Sequence, residues 1–154
     1  MDVSTLTRGE VFEVYGVELT RFATSMVGPS DAQDVLSDAL VRCMWSGGWD
    51  EVVNQRAYLY RAIASQARMN HRASSSRRDR EARAATSEVV SDGQAGVYVW
   101  EALSHLSVSE RAVVFLTYWE DLTEESSADR LGISERTVRR HLSRARRKLE
   151  RLLI

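Results

Sequence analysis

The sequence predicts an all-α protein: two small helical domains joined by a flexible linker. Three observations carry that expectation. Apolar residues recur at steps of three and four through most of the chain, and no stretch alternates for long like a strand. Only one proline and eight glycines interrupt it. Between residues 71 and 96 the composition shifts: "HRASSSRRDREARAATSEVVSDGQAG" mixes Ser, Arg and Gly with little apolar content. A chain of 154 residues with 44% apolar content can form one domain or two small ones with real cores.

Taken in order, the elements follow from local signals. "TRGE" at 7–10 has capping-box spacing and opens a helix with Phe12, Tyr15, Leu19, Phe22 and Met26 on one face. Gly28 and Pro29 end it, and Ser30 or Asp31 caps a second helix that buries Val35, Leu36, Ala39, Leu40 and Cys43 before stopping at "SGGW". A third begins after Asn54 and turns Tyr58, Leu59, Ala62 and Ile63 inward. It is expected to fade into the linker, which places the divisions at 1–73, 74–96 and 97–154. In the last segment one helix runs to about His105, another spans "SERAVVFLTYWE", and two more follow.

Charge is unevenly spread. The net charge is −1, yet residues 1–60 hold nine Asp/Glu against four Arg, and residues 134–151 hold eight Arg/Lys against two Glu. That asymmetry points to an acidic part for a protein partner and a basic part for nucleic acid. In "ERTVRRHLSRARRKLERLL", residues 135 to 153, Val138, Leu142, Ala145, Leu149 and Leu152 form one apolar seam. Arg136, Arg140, Arg147 and Arg151 point the other way, with Arg139 and Arg144 on the flanks. A merely solvated face mixes signs; this one is nearly single-signed and suits a polyanion. Cys43 is alone, which excludes an intramolecular disulfide and agrees with a reducing cytosol. The N-terminus lacks a signal pattern and no apolar run approaches a membrane span of about 20 residues, so a cytoplasmic location is expected.

"LTEESSADRLGISERTVRRHLSRA" has helix-turn-helix spacing. Ala128 sits where two helices cross closely, Gly132 where the turn needs a left-handed backbone, Ser134 at the next cap, and Val138 where the second helix packs back. An ordinary helical hairpin could share these features; the arginine face argues for DNA. Arg136, Thr137, Arg139, Arg140 and Arg144, with His141 among them, are then placed to reach a major groove. Arg147, Lys148 and Arg151 lie further along and are expected at phosphate or solvent. Ser127 stands where such helices usually bury Ile or Leu. Its hydroxyl can bond back to the carbonyl four residues earlier, but apolar burial is lost, which leaves a domain of marginal stability.

With those motifs in view, the chain resembles the extracytoplasmic-function sigma factors, the smallest bacterial promoter-recognition subunits. "EALSHLSVSERAVVFLTYWEDLTEESSADRLGISERTVRRHLSRARRKLERLL" resembles their region four. "FEVYGVELTRFATSMVGPSDAQDVLSDALVRCMW" followed by "RAYLYRAIASQARMNHRAS" resembles region two in order and spacing. The resemblance implies that "SDAQDVLSDALVRC" docks on the coiled coil of the largest polymerase subunit through Asp31, Asp34, Val35, Asp38 and Arg42. Three aspartates on one helix give the acidic edge that such a role requires, although Ser37 and Leu40 depart from the Gln and aromatic usual there. It further implies that the third helix opens and holds the −10 element, with Asn54, Arg56, Arg61, Arg68, Asn70 and Arg72 as contacts. Trp49, Asn54 and Asn70 have the chemistry to hold a flipped base. Tyr58 reads as core rather than a stacking platform, and His71 as a surface residue beside phosphate. The implied partners are core RNA polymerase, promoter double-stranded DNA and the −10 single strand, with an anti-sigma factor as a further candidate. No cofactor, metal or catalytic residue is implied.

Two other readings compete. A transcriptional regulator that ignores core polymerase would need a sensing domain, where this sequence has an acidic helix followed by a basic one. A recombinase or nuclease would need an activated nucleophile or a completed carboxylate cluster. Asp31, Asp34 and Asp38 share a face, but no His or further acid near them in sequence completes a set.

Overall fold

The computed structural model describes residues 6–45, 47–85 and 101–152, with side chains described only to residue 70 in the second of these stretches. No strand occurs among the described residues. Helix α1 spans Arg8–Val27, and Thr7 and Glu10 form the expected capping box at its start. Val11, Leu19, Phe22 and Met26 are buried, whereas Phe12 is 57% exposed. Its ring lies over Gly16, 3.4 Å from where a Cβ would stand, so the helix's own bare backbone seats it instead of the core. Helix α2, Ala32–Trp45, buries Val35, Leu36, Ala39 and Cys43, with Leu40 half-buried.

Gly47 and Gly48 both take left-handed backbone, φ 79° and 74°, and turn the chain into a short 3₁₀ segment, Trp49–Glu51. Helix α3, Gln55–Ala85, begins at Asn54, whose Oδ1 accepts the Ala57 N–H at 3.0 Å. Its inward face carries Leu59, Tyr60, Ile63, Ala64 and Ala67, while Tyr58 and Ala62 are only half-buried. The helix continues to Ala85, so residues 74–85 of the stretch read as linker are helical. Ala, Arg and Glu dominate "RRDREARAA", and their helix propensity outweighs the polar composition that suggested a linker.

In the C-terminal half, residues 101–104 are helical. Helix α4, Val108–Val114, is capped by the Ser107 hydroxyl and continues as a π-turn over Phe115–Trp119. Helices α5, Glu124–Leu131, and α6, Glu135–Leu152, complete it. One apolar cluster runs through both halves. Phe22 of α1 meets Phe115 with ring centroids 6.0 Å apart. Arg111, 1% exposed, donates from Nη1 to the carbonyl of Met26 in the last turn of α1. The two halves therefore pack against each other.

Candidate nucleic-acid interface

The helix-turn-helix is built by short-range bonds. Thr123 caps α5 by accepting the Ser126 N–H at 3.0 Å. Gly132 ends it at φ 66°, and the Ile133 N–H returns to the Ala128 carbonyl at 3.0 Å. Ser134 then caps α6 through the Thr137 N–H at 3.1 Å. Val138, Leu142 and Ala145 are buried, Leu149 is half-buried, and Leu152 is 45% exposed. The apolar seam thus runs out toward the end of α6. Each turn residue takes the place its spacing predicted.

Arg136, Arg139, Arg140 and Arg144 are exposed on the outer side of α6, as are Arg147 and Arg151. Arg139 reaches Glu124 at 3.3 Å and Glu135 at 3.8 Å, exposed pairs that a phosphate or base edge can displace at little cost. Thr137 is half-buried, its hydroxyl 2.8 Å from that of Ser134, so part of its hydrogen bonding serves the cap. Burial, reinforced by the Arg140 and Arg144 charges, lowers the His141 pKa below its usual 6.5. A neutral imidazole thus sits among the arginines at pH 7. Lys148, its side chain 42% exposed, meets solvent and also donates from Nζ at 2.6 Å to Glu110, a carboxylate side chain only 5% exposed, so it braces α6 against α4. Ser127 does not use the back-bond open to its hydroxyl. It is 0% exposed and its Oγ has no partner; the back-bond to residue 123 is made by its N–H, at 2.8 Å, not by its hydroxyl.

On the N-terminal half, Asp34, Asp38 and Arg42 are exposed along α2. Val35, named with them, is 2% exposed and belongs to the core. Asp31 is half-buried and lies 3.4 Å from the Asn70 amide nitrogen, joining a residue assigned to polymerase with one assigned to DNA. Asn54 is spent in part as the α3 cap. Arg56 makes two bonds to Glu18, at 2.6 and 2.5 Å, and Tyr60 donates to the same carboxylate at 3.1 Å. Burial and that carboxylate push the Tyr60 hydroxyl up to about 12. Arg61 and Arg68 are exposed, and Arg68 donates to Ser109 at 2.8 Å. Arg72 and His71 lie outside the residues whose side chains are described.

Trp49 cannot serve as an open wall for a base in this conformation. It is 2% exposed, with its indole N–H bonded to the Leu6 carbonyl at 3.1 Å. Trp45 is exposed instead, 73% accessible, with the Arg8 guanidinium 5.3 Å from the centre of its ring. It stands at a cleft of about 760 Å³ lined also by Val41, Tyr58, Arg61 and Ser65. Tyr58 both lines this cleft and packs on Trp49 at 6.2 Å. A tryptophan lying off the apolar stripe of α2 was the available signal for Trp45.

A family model for sigma-70, region 4, matches residues 97–149. The chain is 32% identical over 140 residues to the RNA polymerase sigma-E factor of Streptomyces avermitilis, covering 82% of this chain and 74% of that protein. It is 30% identical over 146 residues to the RNA polymerase sigma-E factor of Streptomyces coelicolor, covering 88% and 80%. Among solved structures, CnrH in complex with the cytosolic domain of CnrY superposes with a TM-score of 0.63 at 27% identity, over 95% of this chain and 86% of that one. The sigma factor RpoE in complex with the anti-sigma factor NepR, from Bartonella quintana, shares the fold with a TM-score of 0.57 at 23% identity, over 95% of each chain. No helix among the described residues is long and apolar enough to cross a membrane. An arginine-faced helix-turn-helix, a preceding helical domain with an acidic helix, and relatives aligned along most of their length lead to one conclusion: the chain belongs to the extracytoplasmic-function sigma factors.

Proposed function

We propose that this chain binds core RNA polymerase and directs it to a class of promoters. The C-terminal helix-turn-helix reads −35 DNA and the N-terminal domain opens and holds the −10 element. The observation that carries this reading is the outer face of α6: four arginines, Arg136, Arg139, Arg140 and Arg144, stand exposed on a helix fixed by Gly132, Ser134 and Val138. Thr137 and His141 border that face. Arg56, Arg61, Arg68 and Arg72 serve the −10 strand, with Asn54 and Asn70 near it. Asp34 and Asp38, with Arg42, offer the polymerase an exposed edge; Asp31 supports it through Asn70. The work is divided among residues 1–73 and 97–154, with 74–96 connecting them.

The chain does no chemistry itself, and it works in the cytoplasm beside the polymerase. Because the similar RpoE structure is a complex with an anti-sigma factor, an anti-sigma factor is a third partner class for this chain. In vitro transcription with purified core enzyme and a promoter library tests the reading directly. Start-site-specific transcripts are expected only when the chain is added. Replacing Asp34 and Asp38 with Arg should weaken capture of core enzyme while leaving the helical circular dichroism unchanged. A chain that neither captures core enzyme nor changes its promoter choice would be a regulator of another kind.

A further inference from the structure

We infer that in the chain alone the C-terminal domain occupies the −10 face of the N-terminal domain, so that single-stranded DNA must compete with it for the same arginines. This rests on the −10 assignment of Arg56, Arg61 and Arg68 made above. Each of the three is engaged at the seam between the domains or by a residue of the seam. Arg56 is held on both nitrogens by Glu18, and Glu18 is shared with Arg130 of α5 at 3.9 Å. Arg130 is 15% exposed and lies over the Tyr60 ring at 5.5 Å. Arg61 packs along Gly132, where an added Cβ would come within 3.3 Å of its guanidinium. Arg68 donates to Ser109.

The charge pattern agrees. A cleft of about 690 Å³ between the halves has Asn54 and Arg56 on one side and, on the other, Glu125, Asp129 and Glu135 with Arg130 among them. Carboxylates face the −10 residues where phosphates would have to come. Two further contacts close the seam away from this cleft: the paired bonds of Arg21 to Glu120, at 3.0 and 3.2 Å, and the bond from Arg111 to the Met26 carbonyl. Meanwhile Arg136, Arg140 and Arg144 stay exposed, and so do Asp34 and Asp38. Closure therefore covers one of the three working surfaces and leaves the other two free. The Arg21–Glu120 pair at the edge, with the Arg21 side chain 55% exposed, is the weakest of these contacts and the first that a partner on the free surfaces can open.

The test uses the full chain and a fluorescein-labelled single strand of random sequence. Arg130→Glu sets a second carboxylate against Glu18, and Glu120→Arg sets like charge against Arg21. Together they should raise the radius of gyration in small-angle scattering and tighten strand binding by at least about fivefold, since apparent affinity scales with the open fraction and a chain about four-fifths closed loses about that factor. Glu120→Arg alone should likewise raise the radius of gyration, and adding Arg21→Glu should undo it by restoring the pair with reversed sign. An unchanged radius of gyration, or an enlarged protein that binds no tighter but loses binding on Arg56→Ala, refutes the closure and leaves the −10 assignment standing. If Arg56→Ala changes strand binding in neither protein, the −10 assignment has failed, and the inference falls with it.

Discussion

Replacing Ser127 with Ala should make this protein more stable. The side chain is 0% exposed in α5 and its hydroxyl oxygen has no partner, so folding strips it of water without return. An unsatisfied buried hydroxyl costs about 1–3 kcal/mol. Deleting the oxygen leaves a void of about 10 Å³, worth roughly 0.2 kcal/mol at about 24 cal/mol per Å³. Alanine also gains about 0.5 kcal/mol over serine inside a helix. The net is a stabilisation of about 2 kcal/mol. With a urea slope of about 2 kcal/mol per molar, the unfolding midpoint followed by circular dichroism should rise by about 1 M. Ser143→Ala, at an exposed position on α6, is the control and should stay within about 0.5 kcal/mol of the parent. An unchanged or lower midpoint for Ser127→Ala would mean that the hydroxyl is hydrogen-bonded in solution, and the reasoning would fail.

Other expectations follow from the same structure. Arg139→Ala and Arg140→Ala should each cost about 1–3 kcal/mol on promoters carrying the matched −35 base and relax specificity there. Arg147→Ala and Arg151→Ala should instead weaken all promoters alike and reduce the salt slope by about one per contact; transcription from variant −35 elements across salt separates the two classes. Lys148→Met should destabilise the C-terminal half by about 2 kcal/mol in a thermal melt, because Glu110 is left buried without its cation. Glu110→Gln, which removes the charge itself, should cost less. Cys43 is 2% exposed and burial raises its thiol pKa from 9.0 to about 11, so it should react with a thiol reagent only on unfolding. Its raised value favours folding below pH 9, and that contribution is lost as pH rises toward 11; urea midpoints falling across this window would check it.

What could be read from sequence was what four or five residues settle among themselves. The Thr7–Glu10 capping box, the left-handed Gly132, the Ser134 cap and the inward Val138 are all local, and the structure has them where the spacing put them. The features beyond the reach of local spacing depend on partners far along the chain. Lys148 is held by Glu110 and Arg56 by Glu18, each 38 positions away. Which tryptophan faces out, Trp45 or Trp49, depends on the path of the chain after Gly47 and Gly48, which swings Trp49 back to Leu6. On α3 the buried face includes Tyr60 rather than Tyr58, because this helix packs against the C-terminal half as well as against α1 and α2. A single apolar stripe cannot announce a helix with two neighbours.

The bond between Arg111 and the Met26 carbonyl bears on how the halves can part without harm. A seam of aliphatic side chains alone would, on separation, present two wet greasy surfaces that favour aggregation. Here a guanidinium and a helix-end carbonyl can each exchange the other for water at small net change. The Arg21–Glu120 and Arg130–Glu18 contacts dissolve in the same way. The apolar cluster shared by the halves, Phe22 against Phe115 included, is the part that resists hydration. Such a joint, if it opens as inferred above, has the character of a transient contact between two separately folded proteins.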